Sequence, residues 1–136
     1  MNNKRKVPRI LLGAAASGSG KTLLTCGLLQ ALKNRNLQVA SFKCGPDYID
    51  PMFHRAVLGV ESHNLDLFFS TPATVRRLYA QNAAGHGAAV VEGAMGYYDG
   101  LGGTSATASA WHLADTLGLP VLLVVEPKGQ SLTLAA

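Results

Sequence analysis

The sequence predicts an α/β fold, a mostly parallel sheet with helices on both faces, and three observations predict it. Short apolar runs at 9–14, 38–43, 88–91 and 121–125 alternate with stretches of helical period, the pattern of strands joined by crossover helices. The first run, Arg9 to Ala14, is short and apolar on both faces, as a strand covered on two sides is. The first run feeds Ala15-Ala-Ser-Gly-Ser-Gly-Lys-Thr22, which matches Gly-x4-Gly-Lys-Ser/Thr everywhere except its first position. That match predicts the P-loop NTPase type of α/β fold.

Size and composition narrow the function classes. The chain has 136 residues, 48% of them hydrophobic, enough for one domain with a real core. Its formal charge is +4, but Lys4, Arg5 and Lys6 carry three of those charges, so residues 1–8 read as a solvated basic arm and 9–136 as the folded domain. A nucleic-acid partner is therefore not expected. No apolar run approaches the ~20 residues of a membrane span, and no signal-peptide core follows the basic residues, which predicts no membrane partner and a cytoplasmic location. Cys26 and Cys44 lack metal-ligand spacing and are expected to be thiols.

Each element has its own signal. Arg9 to Ala14 is the first strand, and the first helix runs from Lys21 to Arg35 with Leu24, Leu28, Ala31 and Leu32 on its inner stripe and Asn36 as a left-handed stop. Gln38 to Lys43 is the second strand, parallel to the first. Pro51 to Leu58 reads as a short helix capped by Asp50. Asn64 to Phe69 is either a short strand or a packed loop, with Asp66 either a functional carboxylate or a turn residue. Thr71-Pro72 starts a helix that ends near Gly85, with Val75, Leu78 and Tyr79 inward. Ala88 to Val91 is a buried strand ending in Glu92, and Ser105 to Leu117 a helix stopped by Gly118 and Pro120. Val121 to Val125, the most apolar run, is expected to be a central strand. Because a further helix begins near the last residue with no stop signal, the chain reads as an N-terminal or truncated piece of a larger protein, incomplete at its C-terminus.

The candidate chemistry starts in the loop at 15–22. Gly18 and Gly20 allow the backbone to turn tightly enough for successive N–H groups to face an anion, and Lys21 adds a positive charge. Thr22 stands in the first turn of the helix, where the positive end attracts phosphate and a hydroxyl can ligate phosphate-bound Mg²⁺. Ser17, Gly18, Ser19, Gly20, Lys21 and Thr22 are thus the candidate nucleotide-binding residues. Ala15, in place of the first glycine, would resist a left-handed backbone there. Glu92, acidic at the end of an apolar strand, occupies the place where P-loop proteins hold the metal or its water shell.

Four segments together resemble the cobyrinate a,c-diamide synthase family: the P-loop, Phe42-Lys-Cys-Gly-Pro-Asp-Tyr-Ile-Asp-Pro-Met-Phe-His54, Asn64-Leu-Asp-Leu67 and Val91-Glu-Gly-Ala-Met-Gly-Tyr-Tyr-Asp-Gly100. The resemblance implies a wider group that includes dethiobiotin synthetase and the MinD-like ATPases. It also implies ATP- and Mg²⁺-dependent amidation of the a and c carboxylates of cobyrinate, a corrin, through an acyl phosphate. Ammonia would come from glutamine in a glutaminase domain that this chain lacks. On that resemblance Lys43 would face the γ-phosphate or the substrate carboxylate. Thr22, Asp47 and Glu92 are the metal candidates, and Asp50 and Asp99 are candidates for orienting substrate or ammonia, Asp50 equally for a helix cap. Tyr48, Tyr97 and Tyr98 are open between lying against the ring and packing. His54, His63, His86 and His112 show no ligand spacing and read as structural or exposed. A homodimer is left open.

Three other readings compete. A MinD- or ParA-like ATPase usually carries a second lysine inside the loop, where this chain has Ala16, Ser17 and Ser19. A carboxylating synthetase like dethiobiotin synthetase fits Glu92-Gly-Ala94 but not the Gly-Pro-Asp-Tyr-Ile-Asp-Pro loop. The last is an inactive truncated remnant of the synthase.

Overall fold

The computed structural model describes residues 7–135; most of the basic arm expected at 1–8 lies outside them. Five parallel strands form one sheet: β1 (Arg9–Ala14), β2 (Val39–Cys44), β3 (Ser62–Leu65), β4 (Ala88–Glu92) and β5 (Val121–Val124), in spatial order β3-β2-β4-β1-β5. Four helices connect them: α1 (Lys21–Asn34), α2 (Ile49–Ala56), α3 (Pro72–Ala83) and α4 (Ala110–Leu117).

The helices cover both sides of the sheet, so the inner strands bury side chains on both faces. On one face Phe42, Val91 and Leu11 pack with Val75 and Tyr79 of α3 and Leu113 and Leu117 of α4. On the other, Leu12, Val39, Ala88 and Val90 pack with Leu29 of α1 and Val60. Ser41, Lys43 and Glu92 share this second face by strand alternation, because the register aligns Val39 with Ala88, Ser41 with Val90 and Lys43 with Glu92.

The expected elements are present, with five corrections. The buried line of α1 runs through Lys21, Thr25 and Leu29, with Leu28 and Leu32 beside it, and Leu24 and Ala31 are exposed. Apolar residues occur on more than one side of this helix, so its period alone does not set the inward face. Next, α2 starts at Ile49, two residues earlier than expected: Tyr48 is at the cap position, and Asp47 just before it accepts through Oδ1 from the N–H groups of Ile49 and Asp50. Asp50 is not the cap. The third strand is Ser62–Leu65, and Asp66 follows it as a turn residue that accepts from the Phe68 N–H.

The fourth correction is that α4 begins at Ala110, not Ser105. Ala108 has φ 62°, outside the helical region, and Ser109 caps the helix by accepting from the His112 N–H. Last, the sequence predicts a central strand at 121–125, and among the described residues β5 pairs with β1 alone, with Leu122 and Leu123 half exposed. Two stop signals do operate as expected. Asn36 takes a left-handed φ of 59° after α1, and Gly118 does the same after α4.

Candidate active site

The loops leaving β1, β2 and β4 emerge side by side at the carboxyl end of the sheet, the end where open parallel sheets bind ligands. They line a cleft of about 480 Å³ that includes Ser17, Gly20, Lys21, Thr22, Lys43 and Glu92.

The β1 loop has the geometry of an anion cradle. Gly18 and Gly20 have φ of 79° and 91°, conformations that glycine adopts without strain. Among the described residues, no backbone N–H from 16 to 20 donates to a backbone carbonyl, and the loop runs straight into the N-terminus of α1, the arrangement in which successive amides can meet an anion. Ala15 is not among the residues with positive φ, so the alanine sits where L residues are at ease and the missing glycine carries no backbone strain. Ser19 turns its hydroxyl inward to the Ala16 carbonyl at 2.9 Å.

Lys21 is buried and reaches across to the β4 loop, donating to the Met95 carbonyl at 2.7 Å and the Ala16 carbonyl at 3.4 Å. Burial, and then the like charge of Lys43, press its amine below the ordinary lysine range, against Glu92 and Asp99. Met95 itself has φ 53°, an unfavourable value for a side chain of this kind. Sequence reasoning did not single out Met95. It acts through its backbone carbonyl, so no side-chain pattern marks it.

Lys43 and Glu92 form the centre of the cleft. They are register partners on adjacent strands, which places their side chains together on one face. The Lys43 ammonium donates to Glu92 Oε1 at 2.9 Å and to Asp50 Oδ2 at 2.6 Å, with Asp47 Oδ2 at 3.6 Å. Glu92 is fully buried, and its Oε1 also accepts from the Thr22 hydroxyl at 2.6 Å. Burial opposes the Lys43 charge, but the hydrogen bond to Asp50 and the charge of Glu92 outweigh it and hold the amine above its usual range. Burial likewise opposes the Asp47 charge, and the Asp50 N–H, Lys43 and the Ile49 N–H outweigh it, so that carboxyl is held below the usual range.

Nine of the residues singled out from the sequence therefore meet here: Ser17, Gly18 and Gly20 of the loop with Lys21, Thr22, Lys43, Asp47, Asp50 and Glu92. Asp99 stands in the β4 loop and accepts from the Gly96 N–H at 2.9 Å, shaping the loop around Met95. Tyr97 packs beside Gly13, where a Cβ would meet its ring, whereas Tyr48 and Tyr98 are largely exposed. Asp66 lies in its turn, outside the cleft lining. Burial pushes the Cys44 thiol up to about 11, so it is no nucleophile at neutral pH. Of the histidines, His54 is completely buried between Ser41 and Ser62.

The residues present fit a magnesium-bound polyphosphate. Among the described residues, no group of three or more His, Cys, Asp or Glu could hold a metal unaided. P-loop sites do not need one, since phosphate and water oxygens complete the shell around a Ser/Thr hydroxyl. Thr22 and Glu92 are the protein groups that would contribute to such a shell, and Glu92 Oε2 is buried with no hydrogen-bond partner. Asp47 stands less directly, with Oδ1 engaged by α2 and Oδ2 turned to Lys43.

A cradle of free N–H groups at a helix N-terminus, with Lys21 and Thr22 in the first turn and a buried carboxylate opposite, defines the P-loop nucleotide-binding class. The comparisons carry this to a family: residues 10–81 match the CobQ/CobB/MinD/ParA nucleotide binding domain, and the chain belongs to it. It is 50% identical, over 93% of its length, to the cobyrinate a,c-diamide synthase of Gloeobacter violaceus, and 48% identical over 93% to that of Clostridium acetobutylicum. It is 45% identical, over 96% of its length, to the hydrogenobyrinate a,c-diamide synthase of Streptomyces coelicolor. The chain spans 28%, 28% and 27% of these relatives' own lengths. No helix among the described residues is long and apolar enough to cross a membrane.

Proposed function

We propose that this chain is the ATP-binding part of an ATP- and glutamine-dependent amide ligase that converts the a and c side-chain carboxylates of a corrin acid, cobyrinate or hydrogenobyrinate, to amides. The observation that carries the reading is the convergence of the P-loop with Lys43, Asp50 and Glu92 in one cleft, within a chain so similar to synthases of that name.

Substrate carboxylate and ATP are both anions, so their approach needs fixed cations and oriented donors. The N–H groups of residues 17–20 and the Lys21 ammonium hold the phosphates. Thr22 and Glu92 hold the magnesium ion, which when bound offsets phosphate charge. Lys43, steadied by Asp50 and Glu92, faces the γ-phosphate and the incoming carboxylate. The carboxylate oxygen bonds to the γ-phosphorus as the bond to ADP breaks, giving an acyl phosphate. Ammonia then attacks the acyl carbon, phosphate leaves, and the nitrogen loses a proton to give the amide. The ammonia derives from glutamine in a domain outside this chain, and Asp99 keeps the β4 loop in the shape that receives substrate.

Two measurements test this. Titration of the chain with Mg-ATP should show saturable binding that Lys21→Ala removes. Replacing the matched segment of the Gloeobacter violaceus enzyme with this chain should preserve amidation of cobyrinate with ATP and ammonia, and Glu92→Gln should lower it by ~100-fold or more. Full activity of Glu92→Gln sinks the metal assignment, and a folded, ATP-binding chimera inert toward either corrin acid sinks the substrate assignment.

A further inference from the structure

His54 is enclosed among groups that the proposed chemistry does not use. Its side chain has no exposed surface, and its Nδ1 lies 3.1 Å from Ser41 Oγ on β2 and 3.1 Å from Ser62 Oγ on β3. Both serines are buried and are register partners across the two strands. One imidazole on α2 thus grips two neighbouring strands, and the His54 carbonyl also accepts from the Val60 N–H, fixing the segment that returns to β3. A buried polar cluster of this kind costs desolvation that an apolar side chain would avoid, and the Nε2 atom has no partner. Packing alone does not account for it.

What the cluster does follows from spacing. His54 and Asp50 are four residues apart on one face of α2, about 6 Å along the helix. Ser41 and Lys43 are two residues apart on one face of β2, about 6.6 Å along the strand. The two spacings nearly coincide. A helix pinned with His54 over Ser41 therefore brings Asp50 over Lys43, where the observed contact is 2.6 Å. Burial lowers the histidine's basicity, partly offset by Glu92 and Asp50, so the ring stays neutral and can share hydrogen bonds with two hydroxyls.

We infer that His54 is a positioning residue: held between Ser41 and Ser62, it sets the register of α2 on the sheet so that Asp50 closes on Lys43 at the mouth of the cleft. Its importance for turnover rests on the function proposed above; the structural effect does not.

The test reads Lys43 directly. The chain is acylated with an amine-reactive ester and the labelling rate of each lysine followed by mass spectrometry, with Lys21 as the internal reference, since it is equally buried but held by the Met95 carbonyl. His54→Leu should raise the Lys43 rate about tenfold, the equivalent of ~1.4 kcal/mol, while Lys21 changes less than about twofold, and His54→Asn, which keeps a polar atom near the Nδ1 position, should restore most of the protection. The double variant Ser41→Ala/Ser62→Ala keeps the ring but removes its anchors and should behave like His54→Leu, so it decides the matter if His54→Leu does not fold. An unchanged Lys43 rate, or parallel rises at Lys43 and Lys21, overturns the inference, the second because it marks general loosening of the core. In the chimera, His54→Leu should lower kcat with little change in the KM for ATP and cause little further loss when added to Asp50→Asn. A chimera with no amidation at all would remove the proposed function and leave the labelling result standing.

Discussion

Replacing Lys43 with methionine isolates the main electrostatic debt of the cleft. The substitution keeps most of the side-chain volume and removes the charge that compensates Glu92, which has no exposed surface and otherwise has only the Thr22 hydroxyl at 2.6 Å. Removing one partner of a buried ion pair typically costs about 3–5 kcal/mol, because the other charge stays buried and unpaired. Here Asp50, 2.6 Å from the same ammonium, is left facing Glu92 as well, so the upper half of that range applies. For a domain of this length, about 4 °C per kcal/mol gives a fall in Tm of roughly 15–20 °C at pH 7. The decisive comparison is with Glu92→Gln. In the parent chain that change loses a charge-assisted hydrogen bond and should destabilise by about 1–3 kcal/mol. In the Lys43→Met background it removes a stranded carboxylate and should instead stabilise by ~1–2 kcal/mol. Urea unfolding of the four proteins, followed by circular dichroism, measures the cycle. Additivity within about 0.5 kcal/mol would refute the coupling of Lys43 to Glu92, as would a Lys43→Met variant within ~1 kcal/mol of the parent.

Other outcomes can be checked on the same protein. Asp47 is held below the usual carboxylate range, so its contribution to stability is present above about pH 4 and is lost as the pH falls through its lower folded value. A pH series should therefore show Asp47→Asn less stable than the parent at pH 6 and the difference closing near pH 2; a constant difference would contradict this. Lys43 has the opposite sign: its amine is raised, so its contribution is intact below about pH 10 and fades only as the pH rises beyond the folded value, which unfolding between pH 9 and 12 would register. With its thiol at about 11, Cys44 should resist a disulfide reagent at pH 8 in the native chain, whereas half-buried Cys26 reacts slowly and both react in denaturant. Ala15→Gly should leave Mg-ATP affinity within about twofold and reduce stability by roughly 0.4–1 kcal/mol through the unfolded chain, because Ala15 needs no left-handed conformation.

Strand β1, the first helix and β4 were legible because their apolar runs and the Asn36 stop after the helix are local signals, and the P-loop because its chemistry is contiguous in sequence. The Lys43–Glu92 pair was legible as two candidates but not as a pair. Their meeting depends on β2 lying next to β4, a topological fact that no periodicity encodes. The apolar run at 121–125 signals a buried strand but not its neighbours, and among the described residues β5 pairs with β1 alone. The extension of α4 back to Ser105 shows the same weakness at smaller scale, since alanines at 106, 108 and 110 suit a helix until one backbone angle at Ala108 breaks it. The cluster of His54 with Ser41 and Ser62 was not legible, because these partners are thirteen and eight positions away.

The charges of the cleft also bear on how it can accept a polyanion. Two ammonium groups, Lys21 and Lys43, stand among three carboxylates, Asp47, Asp50 and Glu92, so the region has no surplus of positive charge with which to draw in phosphate. Attraction has to come from position. The free N–H groups of the loop and the end of α1 lie on one side, while Lys43 is already compensated on the other. The excess carboxylate, and the unpartnered Glu92 Oε2 in particular, are liabilities for the empty fold. A divalent cation arriving with the phosphates would give that oxygen a partner. A buried charge of this kind works against stability and is explained by chemistry, the usual sign that a site has been shaped for a ligand and not for the core.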